Sequence, residues 1–480
     1  MGRRKQGRDK SGMRGKVLEK VVIAGIAAEG KAIARVDDKV VFVPYAAPGD
    51  VVDVRIRKAK ANFMEGEVVK MHVYSAERIE PFCSHFGICG GCKWQHLPYE
   101  RQLEYKHQQV IDSLQRIGKT NLDHVKVHPI VASKKTTHYR NKLEYTFSNK
   151  RWLTSEEIDT GDPVKDMNGL GFHIPGYFDK VLDVKTCWLQ AEPTNSIRLK
   201  VKAFAKEQGI PFFDFRDKKG VLRNLIVRNN PKGEVMVVVV FSGEQLDLQE
   251  KVLDFIVKTF PEVTTLAYMV NNKQNDSIAD LEPVIYSGSS YMTEEMDGLQ
   301  FRIGPKSFFQ TNSEQAVHLY KTVLDFAALE GHELVYDLYT GTGTIAMFLA
   351  RKSSRVVGIE YVEEAVVHAR ENATLNNLEN LEFFAGDMAA ILDDVFFQNH
   401  GFPNVVITDP PRAGMHPKVI KQLLSSSAER IVYVSCNPAT QARDIELLSP
   451  KYTVTKVQPV DMFPHTHHVE SVVLLERRDL

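Results

Sequence analysis

Leu334-Val-Tyr-Asp-Leu-Tyr-Thr-Gly-Thr-Gly-Thr344 joins an apolar stretch to two glycines that are separated by one residue. The apolar part predicts a buried strand, and the glycine turn opens a helical stretch from Ile345 to Lys352. The next predicted strand, Arg355 to Glu360, ends in a carboxylate. A strand, a glycine loop, a helix and a second strand indicate a doubly wound α/β fold, in which ligands bind at the carboxyl ends of the strands.

The same alternation continues to the end of the chain. A helix is predicted from about Val362 to Asn376. Strands are predicted up to Asp387 and over Asn404–Asp409, Arg430–Ser435, Thr453–Val460 and Val469–Leu475. We therefore expect residues 299–480 to form one doubly wound domain.

The glycine loop does not by itself identify its ligand. Gly341 and Gly343 allow close backbone approach, and Glu360 lies 23 residues after Asp337, where a carboxylate can accept both hydroxyls of a ribose. Ala346 occupies the position of the third glycine of a dinucleotide-binding motif. The loop therefore leaves both a nicotinamide cofactor and S-adenosylmethionine open.

Two later strand ends carry reactive side chains. Asp409-Pro-Pro-Arg412 follows one strand and Ser435-Cys-Asn-Pro438 follows the next, so a carboxylate, a guanidinium and a thiol meet at one edge. A thiolate that adds to C6 of uracil makes C5 a nucleophile toward an electrophilic methyl group. A base must then remove the C5 proton, and Glu470, at the start of the last strand, can supply it.

These motifs resemble those of the RNA uracil-C5 methyltransferases. The matching segments are Phe308-Phe-Gln-Thr-Asn312, Asp409-Pro-Pro-Arg-Ala-Gly414, Ser435-Cys-Asn-Pro-Ala-Thr-Gln-Ala-Arg-Asp444 and His468-Val-Glu470. The resemblance implies that Cys436 is the nucleophile and that Glu470 is the base that removes the C5 proton. The S-adenosylmethionine site that it implies, with the glycine loop included, consists of Gln310, Tyr339, Gly341, Gly343, Glu360, Asp387 and Asp409.

Short β-rich runs dominate the first part of the chain. They are Lys20–Ile23, Ala32–Arg35, Val40–Pro44, Val51–Arg57 and Glu65–Lys70. Five strands in such a short segment predict a small closed barrel, because closure removes exposed edges. Residues 16–73 resemble a TRAM domain, which implies an RNA-binding module with an oligonucleotide-binding type of barrel. Met1 to Lys20 holds eight Lys or Arg against two acidic residues. Residues 1–15 are therefore predicted to be a flexible basic tail. Such a tail could contact phosphate groups or could only increase solubility.

The middle of the chain, residues 74–298, mixes helical and strand-like stretches and predicts an α+β domain. Gln95 to Arg116 is predicted to be a long amphipathic helix that packs away from its neighbours in sequence, on the catalytic domain. Four cations alternate with apolar residues and are candidates for phosphate contacts: Arg140, Lys142, Arg223 and Arg228.

Four of the five cysteines fit one four-thiolate site, and the fifth is Cys436. The four are Cys83, Cys89, Cys92 and Cys187. An odd cysteine count without a secretory signal argues against a disulfide framework. The spacing leaves zinc and a [4Fe-4S] cluster open. The family resemblance favours the cluster, because the ribosomal-RNA enzymes carry this cysteine pattern and most transfer-RNA relatives lack it.

A radical S-adenosylmethionine enzyme would also combine a cluster with this cofactor. Such chemistry needs one open iron and therefore three cysteine ligands, whereas Cys187 as a fourth ligand would close the cluster. The pattern thus favours a structural cluster that ties the segment around Cys83 to the strand around Cys187 in this central iron-sulfur and RNA-binding domain.

The composition fits a soluble cytoplasmic protein with packed cores, since 43% of residues are hydrophobic and no apolar run reaches membrane-spanning length. The sequence predicts a monomeric enzyme without a membrane partner, which uses S-adenosylmethionine to methylate C5 of a uridine in 23S ribosomal RNA. Two alternatives remain. One is the same reaction on the T-loop uridine of transfer RNA, and the other is a non-enzymatic iron-sulfur RNA-binding factor.

Overall fold

The computed structural model describes residues 12–161, 163–164, 166–243, 245–426 and 428–478. Most of the predicted basic tail, residues 1–11, lies outside these ranges. Within them, no helix is long and apolar enough to cross a membrane.

The N-terminal strands form one curled sheet. They are β1 (Val17–Val22), β2 (Gly25–Ile26), β3 (Ala32–Val36), β4 (Lys39–Val43), β5 (Val51–Ala59) and β6 (Phe63–Val73), in the order β1-β5-β6-β4-β3-β2. β1 pairs with β5, and β2, three residues further along the chain, pairs with β3. This stretch therefore bridges both ends of the sheet and curls it around a core that includes Val41, Val52 and Val54. The sequence pattern missed β2 because a two-residue strand shows no periodicity.

A long helix and a short strand follow the curled sheet, namely α1 (Tyr99–Arg116) and β7 (Lys126–Val127). α1 begins directly after Pro98. Because proline has no N–H group and its ring clashes with a preceding helical turn, the helix does not extend further toward the N-terminus. Glu100 in its first turn and Arg116 in its last turn complement the helix dipole.

The central sheet has seven strands, in the order β10-β9-β8-β11-β12-β13-β14. The elements are β8 (Lys142–Ser148), α2 (Ser155–Asp159), β9 (Gly169–His173), β10 (Val181–Asp183), α3 (Thr194–Glu207), β11 (Leu222–Asn229), β12 (Val235–Phe241), α4 (Leu246–Thr259), β13 (Val263–Val270) and β14 (Val284–Gly288). Five of the seven residues of β12 are valine, and the strand is buried on both faces, as expected of a central strand. α3 and α4 cover one face, where Phe204 and Phe255 stack at 4.1 Å between ring centroids.

A hairpin, β15 (Met292–Met296) and β16 (Leu299–Ile303), leads into the last sheet. Its elements are α5 (Ser313–Ala327), β17 (Leu334–Leu338), α6 (Thr344–Ala350), β18 (Arg355–Glu360), α7 (Glu363–Leu375), β19 (Leu381–Ala385), α8 (Met388–Ile391), α9 (Asp394–His400), β20 (Val405–Thr408), α10 (Pro417–Ser426), β21 (Arg430–Ser435), α11 (Pro438–Leu448), β22 (Tyr452–Val460) and β23 (Glu470–Arg477). The strand order is β19-β18-β17-β20-β21-β23-β22-β7.

The strands from β19 to β21 are parallel, and β23 runs antiparallel between β21 and β22. The order reverses between β17 and β20, which opens a crevice at the carboxyl ends of the parallel strands. Separate apolar clusters cover the two faces of this sheet.

α1 and β7 pack on this last sheet although they precede the central domain in sequence. Val110 and Leu114 of α1 lie in the apolar core that also contains Ala442 of α11 and Val457 of β22. β7 extends the sheet by pairing in parallel with β22. The chain therefore crosses from the barrel to the last sheet, forms the central domain, and returns.

Candidate active site and cysteine cavity

The glycine loop after β17 is a tight turn in left-handed backbone conformations. Tyr339, Gly341 and Gly343 have φ values of 64°, 57° and 78°. A Cβ at Gly343 would lie 3.0 Å from the Phe383 ring, so packing requires glycine there. No atom lies within 4 Å of a Cβ built at Gly341, which leaves room for a ligand to approach the backbone.

Glu360 at the end of β18 is held by this loop. Its carboxylate accepts the Gly341 N–H at 3.0 Å and the Val362 N–H at 2.9 Å. Each carboxylate oxygen still has a free lone pair, and two neighbouring ribose hydroxyls are the donors that such a group can take.

Two other predicted cofactor residues have contacts of their own. The exposed Asp387 caps α8, because its carboxylate accepts the Ala389 N–H at 3.0 Å. Gln310 lies in the segment before α5, and its backbone carbonyl oxygen accepts a hydrogen bond from Asn141 Nδ2 at 3.0 Å. This bond joins the segment to the central domain.

The reactive side chains gather at the ends of β20, β21 and β23. Asp409 directly follows β20, and Cys436 directly follows β21. Ser435 pairs with Ser471 in the antiparallel register of β21 and β23, so Cys436 and Glu470 occupy facing positions. Asn437 Nδ2 donates to the Arg412 carbonyl oxygen at 3.0 Å, which fixes the loop after β20 to the start of α11.

The electrostatics of this edge favour protonated groups. Burial and the neighbouring Asp409 together raise the pKa of Glu470 to about 8, although Arg412 opposes the shift. Burial also raises the pKa of Asp409 to about 7. The pKa of the Cys436 thiol is raised by burial and then by Glu470 and Asp409, and a hydrogen bond from Arg412 opposes this. Arg412 is therefore the cation that favours the thiolate.

Asp337 is a site residue that the sequence reasoning used only as a marker for the spacing to Glu360. It is buried in β17, where Oδ2 accepts the Thr340 hydroxyl at 2.5 Å and Oδ1 has no hydrogen-bond partner. Burial raises its pKa to about 7, with contributions from Asp409 and Glu360. Its position in the strand directly before the glycine loop could have identified it as a candidate site residue.

One cavity of about 220 Å³ is lined by the four cysteines other than Cys436, namely Cys83, Cys89, Cys92 and Cys187. Aromatic and apolar side chains form much of the remaining wall, and Arg140 also lines it. Burial raises the pKa of Cys89 to about 11 and that of Cys92 to about 12, so these thiols are neutral without a bound cation. Among the described residues, no group of three or more His, Cys, Asp or Glu side chains is arranged to hold a metal ion.

The prediction of phosphate contacts is wrong for two of the four cations. Arg223 is buried and donates to the carbonyl oxygens of Asn271, Lys273 and Asn275. Arg228 is also buried and donates to the Ser307 carbonyl oxygen. Both guanidiniums satisfy backbone carbonyls inside the protein and cannot reach a phosphate.

Comparison with known proteins agrees with this geometry. A family model described as tRNA (Uracil-5-)-methyltransferase matches residues 290–478, and a TRAM domain model matches residues 13–69. A Bacteroides thetaiotaomicron protein described as an uncharacterized RNA methyltransferase is 55% identical over 94% of this chain and 100% of its own length. A Porphyromonas gingivalis protein of the same description is 54% identical over 95% of this chain and 99% of its own. The chain belongs to the RNA uracil-C5 methyltransferase family.

A solved member of this family has the same architecture. The structure of Pyrococcus abyssi tRNA (uracil-54, C5)-methyltransferase in complex with S-adenosyl-L-homocysteine has a TM-score of 0.73 and 29% identity, over 95% of this chain and 100% of that one. The predicted fold is confirmed: a doubly wound methyltransferase domain, a curled TRAM sheet and a mixed α/β central domain. The RNA uracil-C5 methyltransferase reaction with S-adenosylmethionine is likewise confirmed. The non-enzymatic alternative is thereby wrong.

Proposed function

We propose that this RNA uracil-C5 methyltransferase modifies a uridine of 23S ribosomal RNA through a covalent bond between Cys436 and C6 of the base. The register that pairs Ser435 with Ser471 carries the covalent part of this proposal, because it sets Glu470 opposite Cys436. A nucleophile and a base that act on adjacent carbons of one ring need this proximity.

The reaction proceeds in three steps. The Cys436 thiolate adds to C6, and the electron pair moves through C5 to the O4 carbonyl as an enolate. C5 then takes the methyl group from S-adenosylmethionine, which leaves as S-adenosylhomocysteine. Glu470 removes the remaining C5 proton, the C5–C6 double bond re-forms, and the bond between C6 and sulfur breaks to release the thiolate.

The positive charge of the methyl donor supports this assignment. Burial raises the pKa values of Asp337, Asp409 and Glu470, and the neighbouring Asp409 adds to the shifts of the other two. A sulfonium ion bound near these carboxyl groups would favour their ionised forms, and an ionised Glu470 can act as the base. Glu360 and the open backbone at Gly341 would hold the ribose and the adjoining part of the donor.

We further propose that the cysteine cavity holds a [4Fe-4S] cluster. The residues fit, because the four cysteines line one cavity of about 220 Å³ and burial raises the pKa values of the Cys89, Cys92 and Cys187 thiols, which therefore need a cation to be ionised. A bound cluster would crosslink the segment around Cys83 to the loop at Cys187 and thereby stabilise the fold.

The predicted division of labour is also a proposal. The barrel segment 16–73 and the central segment 74–298 would grip the RNA, and segment 299–480 would carry out the chemistry. The target base must leave its stack, which costs a few kcal/mol and is easiest for a loop uridine. Action as a monomer in the cytoplasm stays a prediction.

Transfer RNA is the second candidate substrate, since the Pyrococcus abyssi relative is described as acting on uracil-54 of tRNA. Purified enzyme, prepared anaerobically, should be incubated with unmodified 23S ribosomal RNA and, separately, with unmodified transfer RNA and labelled S-adenosylmethionine. Label in a single ribosomal uridine supports the proposal, and label in the T-loop alone replaces it with the second candidate.

The covalent step is tested with Glu470→Gln. This variant should stall after methyl transfer and leave RNA attached through a bond that survives denaturing electrophoresis. The double variant Cys436→Ala with Glu470→Gln is the matched control and should show no adduct. An adduct in the double variant would remove Cys436 as the nucleophile.

A further inference from the structure

Residues 461–469, called here the catalytic loop, connect β22 to β23 and end directly before Glu470. Distant parts of the chain hold its backbone. The Met462 carbonyl accepts Asn312 Nδ2 at 2.9 Å, and the Pro464 carbonyl accepts the Tyr139 hydroxyl at 3.1 Å. Lys93 and Trp94 directly follow Cys92, and their N–H groups donate to the His465 carbonyl at 2.8 and 3.1 Å.

One buried ion pair anchors the start of this loop. The side chains of Lys106 in α1 and Asp461 are both 0% exposed, and Nζ lies 2.5 Å from Oδ1. Nζ also donates to the Phe463 carbonyl at 3.0 Å. The other carboxylate oxygen of Asp461 accepts the Tyr99 hydroxyl at 2.8 Å, so both oxygens of this buried carboxylate are hydrogen-bonded.

The anchoring residues form a single face of α1. Tyr99, Gln102 and Lys106 are spaced by three and four residues and therefore lie on the same side of the helix. Gln102 Oε1 accepts the His465 N–H at 2.8 Å, and Gln102 Nε2 donates to the Leu97 carbonyl at 2.9 Å. α1 thus presents a row of polar groups that matches the catalytic loop and leaves its apolar side for the core.

We propose that Lys106, acting through Asp461, is a positioning residue that fixes the catalytic loop and with it Glu470. Val460 pairs with Glu470 at the end of the β22–β23 ladder, so Asp461 lies one residue from the backbone partner of the base. Loss of Lys106 leaves the Asp461 carboxylate buried and unpaired, and the loop must shift to hydrate it. A displacement of about 1 Å is enough to cost on the order of a hundredfold in rate.

This positioning role rests on the proposed role of Glu470 as the base, and the variants below test the two roles separately. Lys106→Met keeps an unbranched side chain that is one heavy atom shorter and removes the charge. We expect kcat to fall on the order of a hundredfold, an unchanged KM for S-adenosylmethionine, and accumulation of the denaturation-resistant RNA adduct, as in Glu470→Gln. Lys106→Met with Asp461→Asn removes the uncompensated charge and should restore at least a tenth of wild-type kcat.

Lys119→Met is the matched control. Lys119 follows α1 and pairs with Glu446 of α11 at 2.5 Å, so it also joins this segment to the catalytic domain, but it does not contact the catalytic loop. This variant should keep wild-type kcat and form no adduct. Equal losses in Lys119→Met and Lys106→Met would show that any charge removed from this interface has the same effect, which overturns the proposal.

Tyr139→Phe gives an independent reading if Lys106→Met fails to fold, because it removes one hydrogen bond to Pro464 without burying a charge. It should lower kcat severalfold and leave a detectable adduct. If Glu470→Gln accumulates adduct whereas folded Lys106→Met and Tyr139→Phe do not, the positioning role is refuted and the covalent mechanism stands. If Glu470→Gln yields no adduct, the mechanism fails, and restoration of kcat in the Lys106→Met, Asp461→Asn pair alone decides the role of Lys106.

Discussion

Replacing Glu470 by glutamine should stabilise the protein increasingly as the pH rises. The folded pKa of about 8 lies above the ordinary 4.5, because Glu470 is buried beside Asp409. The folded protein therefore binds this proton more tightly than the unfolded chain. The stabilising contribution is fully present below about pH 4.5 and is lost as the pH rises through the folded pKa.

The magnitude follows from the shift in pKa. At about 1.4 kcal/mol per unit, linkage makes the wild-type protein on the order of 3 to 4 kcal/mol less stable at pH 8 than at pH 5 because of this group alone. Glutamine has no proton to lose at these pH values. The difference in unfolding free energy between Glu470→Gln and wild type should grow by this amount, which is a difference of about 10 °C in the unfolding midpoint of a domain of this size.

The assay is thermal unfolding of both proteins, kept anaerobic, at intervals from pH 5 to pH 8. Glu371→Gln, at an exposed position in α7, is the control for removal of a carboxylate and should follow wild type throughout. A difference between Glu470→Gln and wild type that does not depend on pH would refute a raised pKa for Glu470. A glutamine variant that loses stability relative to wild type as the pH rises would refute the sign of the shift.

Three further outcomes are expected. Single-turnover methylation should accelerate with pH up to about 8, since burial raises the pKa values of both Glu470 and Cys436 and both must lose a proton; a rate that is flat from pH 6 to pH 8 would contradict this. Glu360→Gln should weaken S-adenosylhomocysteine binding, measured by calorimetry, by about tenfold or more, because an amide cannot accept both the Gly341 and Val362 N–H groups with two oxygens. Cys187→Ala should reduce the iron content and the thermal midpoint together, whereas full retention of iron would remove this residue from the proposed cluster.

The sequence alone determined the doubly wound fold and most of the catalytic edge. The alternation of apolar strands and helices is a local pattern, and parallel strands necessarily bring their carboxyl ends to one side of the sheet. The motifs at Gly341, Asp409 and Cys436 each follow a strand of the predicted parallel sheet, so their placement at one edge could be predicted without knowing any distance. This convergence is what the structure shows.

Only the tertiary structure decided which distant segments complete the site. β23 inserts antiparallel between β21 and β22, and this insertion places Glu470 opposite Cys436. Lys106 meets Asp461 across 355 residues of sequence. The cations expected at the RNA surface at Arg223 and Arg228 are instead buried on backbone carbonyls. Strand register and long-range partners depend on which packing satisfies all buried polar groups at once, and no local window of sequence contains that information.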